Sequence, residues 1–145
     1  MNLKGASLAA TAILVVAIVG LLVRHQLFAA GWTSAAFQVL AALLMLWARL
    51  TFGVRSFHAG ANPTEGGLVT SGPYRFVRHP IYAAILLFVW AGVASHGSLG
   101  GVLLAIVASG ATAVRMASEE RLLIERYPEY AAYAARTKRL LPFVL

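Results

Sequence analysis

Uncharged runs divide this chain into segments. Residues 5–23 hold 19 consecutive positions without a charge, including the run AILVVAIVGLLV. About 20 apolar residues cross a hydrocarbon core of about 30 Å, so a first crossing is predicted here. Lys4 in front of the run gives it the look of a signal peptide. Arg24-His25-Gln26 behind it, and no small-x-small pattern before a soluble domain, favour a retained span. A second uncharged run covers 28–48 and ends at Arg49, with Trp32 and Trp47 near its ends, where interfacial aromatics sit. The third run, 79–114, has 36 residues. One helix of that length would measure about 54 Å, too long for one crossing. The stretch Ser95-His96-Gly97-Ser98-Leu99-Gly100-Gly101 breaks it. Two short spans, 81–94 and 99–114, are expected as a tight hairpin. The fold class predicted is all-α: a polytopic membrane protein with about four transmembrane helices, in a single domain covering 1–145.

Two polar segments remain. The loop 51–78 carries Gly53, Gly60, Pro63, Gly66, Gly67, Gly72 and Pro73, and connections this long are usually functional or disordered. The tail 115–145 has helical composition over 117–127, with Arg121 and Glu125 spaced i,i+4. Pro128 is expected to end that helix and to start another over 128–137. Four spans place both termini on one side. Eleven of the 12 Lys and Arg then share that side, and only Arg24 lies opposite. The positive-inside rule makes the shared side cytoplasmic, with the C-terminal helical segment cytosolic or interfacial.

Composition supports the membrane assignment. Sixty per cent of the 145 residues are hydrophobic and 12% are charged, and mean hydropathy is +0.78. That excludes an ordinary soluble domain, which carries about 25% charged residues, and intrinsic disorder. The net charge of +7 points to cytoplasmic loops and anionic head groups rather than to nucleic acid. Without cysteine there is no disulfide, thiolate metal site or cysteine nucleophile. No acid lies inside a predicted span, which argues against a small proton-coupled exporter.

The ionisable residues gather instead at the cytosolic boundary. Gly72-Pro73-Tyr74-Arg75-Phe76-Val77-Arg78-His79-Pro80-Ile81-Tyr82 reads as a turn, two boundary arginines and a helix start. It also concentrates polar groups more densely than a lipid boundary needs. Glu119-Glu120-Arg121 follows the fourth span. It is either a solvated helix segment with an Arg115–Glu119 pair, or two acids awaiting a cationic partner such as an ammonium or sulfonium. Tyr130 and Tyr133 share a helical face, as in an amphipathic interfacial helix.

Two strings carry a resemblance: LVTSGPYRFVRHPIYAAILL at 68–87 and EERLLIERYPEYAAYAARTKRLLPF at 119–143. Together they resemble the isoprenylcysteine carboxyl methyltransferase family, and the related phospholipid N-methyltransferases share much of the pattern. The resemblance implies an integral membrane, S-adenosyl-L-methionine-dependent methyltransferase without a Rossmann domain. The cofactor would enter from the cytosol and the lipophilic acceptor from the bilayer. By matching position it implies cofactor-binding roles for Tyr74, His79, Pro80, Tyr82, Glu119 and Glu120, and roles in activity for Arg78 and Arg136.

Elementary chemistry fits this. Methyl transfer from a sulfonium is an in-line displacement that needs no metal, and a site contributes chiefly orientation. A cofactor with an ammonium, a carboxylate and a sulfonium suits a pocket offering both Glu and Arg. A carboxylate acceptor needs no base, whereas an amine must be deprotonated, for which Glu119, Glu120 or His79 are candidates. The expectation is methyl transfer to a lipophilic carboxylate at a bacterial inner membrane. The alternatives are N-methylation of a phospholipid or small amphipathic amine, and a non-catalytic membrane or transport subunit.

Overall fold

The computed structural model describes residues 3–53 and 67–141. Residues 54–66 of the loop, with Arg55, Gly60, Pro63, Glu65 and Gly66, lie outside the described residues. Among the described residues the chain forms α1 (Leu3–Val23), α2 (Trp32–Phe52), a short 3-10 turn (Gly72–Arg75), α3 (Pro80–His96), α4 (Leu99–Arg126) and α5 (Tyr130–Arg136). The all-α expectation holds. Three helices, α1, α2 and α4, are long and apolar enough to cross a membrane. The 17 residues of α3 span about 26 Å at 1.5 Å each, the lower limit for a crossing.

Two boundaries differ from expectation. The second helix starts at Trp32 rather than at 28, because Gln38 ties residues 27–29 into a turn. Its amide donates to the carbonyls of Leu27 (2.7 Å) and Phe88 (3.1 Å), and its carbonyl accepts from the Ala29 N–H (3.0 Å). The fourth helix does not stop at 114 but runs unbroken to Arg126. Charge ends the apolar stretch without ending the helix. No Gly or Pro interrupts 111–127, Arg115 and Glu119 pair at i,i+4 (3.2 Å), and the break waits for Pro128. The last helix accordingly begins at Tyr130, not at Pro128.

Packing follows the side-chain periodicity. The buried face of α1 is Ser7, Ala10, Leu14, Ala17 and Leu21, a stripe at i+3, i+4 and i+7. It meets a stripe of small residues on α4, including Ala105, Ala108 and Ala111. Small side chains let the two backbones approach closely, which favours helix association within lipid. Hydroxyls on these faces bond to their own helix, Thr11 to the Ser7 carbonyl and Thr112 to the Ala108 carbonyl (each 2.8 Å), so these two polar groups are satisfied without water. The helices form a row: α1 lies on α4, α4 on α3, and α3 on α2.

The two ends of the row differ. At one end Arg24 lies over Gly100, and Gln26 over Gly101. At the other, Thr11 meets Arg115 and Thr51 meets Gly72. This second end collects the start of α1, the end of α2, the start of α3 and the charged extension of α4. Gly92 locks the row near the opposite end. A Cβ there would stand 2.1 Å from the Leu27 carbonyl oxygen, which belongs to backbone and cannot swing away. Gly92→Ala is therefore expected to destabilise by about 3 kcal/mol, the upper part of the overpacking range. Gly110→Ala, in open space, should be neutral or stabilising by up to about 1 kcal/mol. Thermal unfolding in detergent micelles compares the two.

Candidate active site

The site is assembled by a short pairing between two segments distant in sequence. Gly72, with φ +55° and Thr51 packed against it, starts the 3-10 turn directly beneath α2. Beyond the turn, the Arg78 N–H donates to the Lys138 carbonyl (2.7 Å) and the His79 N–H to the Arg139 carbonyl (3.0 Å), while the Lys138 N–H reaches the Phe76 carbonyl (3.4 Å). Val77 and Lys138 form an isolated parallel bridge. Pro80 then opens α3, where its missing N–H costs nothing. The R-H-P motif is thus stitched to the tail, and both lie beside Glu119 and Glu120 on α4.

The two glutamates serve different partners. Glu120 is the hub, with 9% of its side chain exposed. It accepts from Arg78 Nε (3.0 Å), lies 3.2 Å from His79 Nε2, and accepts from Arg139 Nε (3.1 Å) and Nη2 (2.9 Å). Arg78 also donates through Nη1 to the carbonyls of Ala134 (2.9 Å) and Thr137, which fixes the end of α5. Glu119 accepts from Tyr82 Oη and from Arg115 Nη2 (3.2 Å). Arg115, 6% exposed, also donates from Nε to Tyr82 Oη (2.8 Å) and from Nη1 to Thr11 on α1. His79 stands between the acids, its Nδ1 3.9 Å from Glu119. In sum, three arginines surround two carboxylates, a surplus of one positive charge before His79 is counted.

Three tyrosines flank this network. Tyr74 is buried against Phe52, with ring centroids 5.5 Å apart, and its carbonyl accepts from Tyr133 Oη (2.7 Å). Tyr130 and Tyr133 stack edge to face at 5.9 Å. Burial raises all three phenol pKa values, that of Tyr133 to about 12. Each phenol is a proton donor at neutral pH. Hydrogen bonds to Glu120 raise the Arg139 pKa further.

Most of the residues singled out from sequence converge. Arg78, His79, Tyr82, Glu119 and Glu120 form the network, with Pro80 opening α3 beside it and Tyr74 buried alongside. Arg136 is not drawn into it, being exposed at the end of α5. Sequence reading missed Arg139 in its hub position and underrated Arg115, expected only in a solvated pair. The i,i+4 spacing marked Arg115, but nothing marked Arg139, which the Val77–Lys138 bridge brings in. Among the described residues no group of three or more His, Cys, Asp or Glu is placed to hold a metal.

Residues 27–130 match the phospholipid methyltransferase family, a stretch that contains Arg78, His79, Tyr82, both glutamates and Tyr130. The chain belongs to that family. Family membership agrees with the membrane methyltransferase expected from the two strings. The chain is also similar to the nickel-cobalt-cadmium resistance protein NccN of Alcaligenes xylosoxydans xylosoxydans. That similarity is 29% identity over 135 residues, 88% of this chain and 60% of NccN. With the cobalt-zinc-cadmium resistance protein CzcN of Cupriavidus metallidurans it shares 38% identity over 76 residues, 52% of this chain and 35% of CzcN. The matches thus span under two thirds of either relative's length. No solved structure matches the chain.

Proposed function

We propose that this chain is an S-adenosyl-L-methionine-dependent methyltransferase acting on a lipophilic acceptor, most simply a carboxylate. The observation that carries the reading is the joined Arg78–His79–Glu119–Glu120 network, at the basic end of a chain belonging to a methyltransferase family. The residues fit the cofactor. A buried, unpartnered phenol and arginines in surplus over the two carboxylates they surround match the anionic carboxylate of that ligand. When bound, the cofactor supplies the methyl group. The chain's own residues orient: Arg78 and Glu120 hold the tail against α3, and Tyr82, Arg115 and Glu119 fix the start of α3 against α1 and α4.

Charge balance favours an anionic acceptor. The network carries one surplus positive charge, and the cofactor adds a net charge of about +1, since its ammonium and sulfonium outnumber its carboxylate. A carboxylate acceptor offsets this, whereas a protonated amine adds to it. An amine would also need a base, and Glu119, Glu120 and His79 are already engaged with arginines, Tyr82 or one another. A second reading, a non-catalytic subunit of a metal-resistance system, is favoured by the names of NccN and CzcN alone.

We place the basic end in the cytosol, at a bacterial inner membrane. Methyl-labelled cofactor supplied to inverted membrane vesicles is expected to label the lipid fraction, and right-side-out vesicles should stay unlabelled. A base-labile label identifies an ester. A base-stable label in the lipid fraction would replace the carboxylate with an amine acceptor. Folded protein that transfers no label from either face would favour the non-catalytic reading.

A further inference from the structure

Tyr130 is 2% exposed, and among the described residues its hydroxyl is a buried side-chain polar atom without a hydrogen-bond partner. A buried hydroxyl left unpaired is costly, so its position asks for an explanation. Tyr130 and Ala134 are spaced i,i+4 on α5, and the Ala134 carbonyl is bonded to Arg78. Tyr130 thus sits one helical turn before the carbonyl that Arg78 holds, and the charges of Glu120, Arg78 and Arg139 act on its phenol. Glu120 cannot satisfy the phenol. Its Oε1 already faces Arg78, His79 and Arg139, and its Oε2 faces two nitrogens of Arg139. A buried neutral donor is thus left beside a network whose acceptors at Glu120 are used up and whose charge is positive in surplus. Arg139 adds donors of its own. Its Nε and Nη2 are turned to Glu120, while 58% of its side chain is exposed, and a guanidinium has five N–H groups.

We propose that the Tyr130 hydroxyl and the outer N–H groups of Arg139 form a carboxylate subsite, which takes the amino-acid carboxylate of the sulfonium cofactor. This deepens the methyltransferase reading and rests on it. The subsite explains both the orphaned phenol and the outward N–H groups of Arg139, since one ligand carboxylate can accept from both.

The test is calorimetric titration of the full chain, in detergent, with S-adenosylhomocysteine and with the same thioether lacking its carboxylate. Tyr130→Phe is expected to weaken the first by roughly tenfold, the scale of a hydrogen bond to a charged group, and to leave the second within about twofold. Because the hydroxyl has no partner to lose, the unfolding temperature of Tyr130→Phe should hold or rise. Equal weakening of both ligands, no weakening of either, or a lowered unfolding temperature would each overturn the assignment. Wild-type protein that binds neither ligand would remove the cofactor reading itself, and the subsite with it.

Discussion

Glu120→Gln should be the most damaging single change at the site, costing about 3–5 kcal/mol, the range for removing one partner of a buried ion pair. The carboxylate gathers Arg78, His79 and Arg139 from two segments distant in sequence. The amide that replaces it keeps the shape, loses the charge and turns an N–H toward donors. Arg78, 11% exposed, is then left with a buried and uncompensated charge. The damage should be local. The apolar faces joining α1 to α4 and α3 to α2 do not depend on Glu120, so the bundle should persist while the segment after Arg126 loosens. Limited proteolysis is expected to clip the variant beyond Arg126 and spare the helices before it, with methyl transfer lost. Glu119→Gln should be milder, since the Glu119 side chain is 22% exposed. A Glu120→Gln protein as protease-resistant as wild type would show that the hub does not hold the tail.

Arg78→Lys is the second large effect expected. Two neighbouring nitrogens of Arg78 are used at once, Nε on Glu120 and Nη1 on the carbonyls of Ala134 and Thr137. A planar fork meets acceptors in those directions, and a single ammonium cannot. The charge survives the substitution but the geometry does not. Turnover should fall at least about tenfold, equivalent to 1.4 kcal/mol in the barrier, with a smaller change in cofactor affinity. All three acceptors belong to the protein, so Arg78 is a positioning residue. If it merely anchored α3 to lipid head groups, lysine would serve equally well. Near-normal turnover in Arg78→Lys would support that anchor role and remove the positioning one.

The sequence made the crossings and the site cluster legible to different degrees. Long uncharged runs mark α1 and α2 because hydrocarbon imposes a length and excludes charge, constraints visible in one dimension. The end of α4 was illegible on the same logic. Charge at Arg115 marks where the apolar stretch ends, while helix geometry, unbroken until Pro128, continues past it. The start of α2 was illegible because Gln38 satisfies carbonyls 11 and 50 positions away. At the site, Arg78, His79, Tyr82, Glu119 and Glu120 were readable from their motifs. Arg136 and Arg139 sit three positions apart in the same basic run, and the pairing of Val77 with Lys138 brings Arg139 to Glu120 while Arg136 stays outside the network. The orphaned Tyr130 hydroxyl was beyond reach for a related reason. A periodic pattern predicts which face is buried, but not whether a buried hydroxyl finds a partner.

In the proposed function the basic end of this bundle binds an S-adenosyl cofactor through the arginine–glutamate network. Titrating the purified, folded chain with S-adenosylhomocysteine tests it without knowledge of the acceptor. Saturable binding of one ligand per chain is expected, abolished or strongly weakened when Glu119 and Glu120 are both changed to Gln. A folded wild-type chain that shows no binding would contradict it.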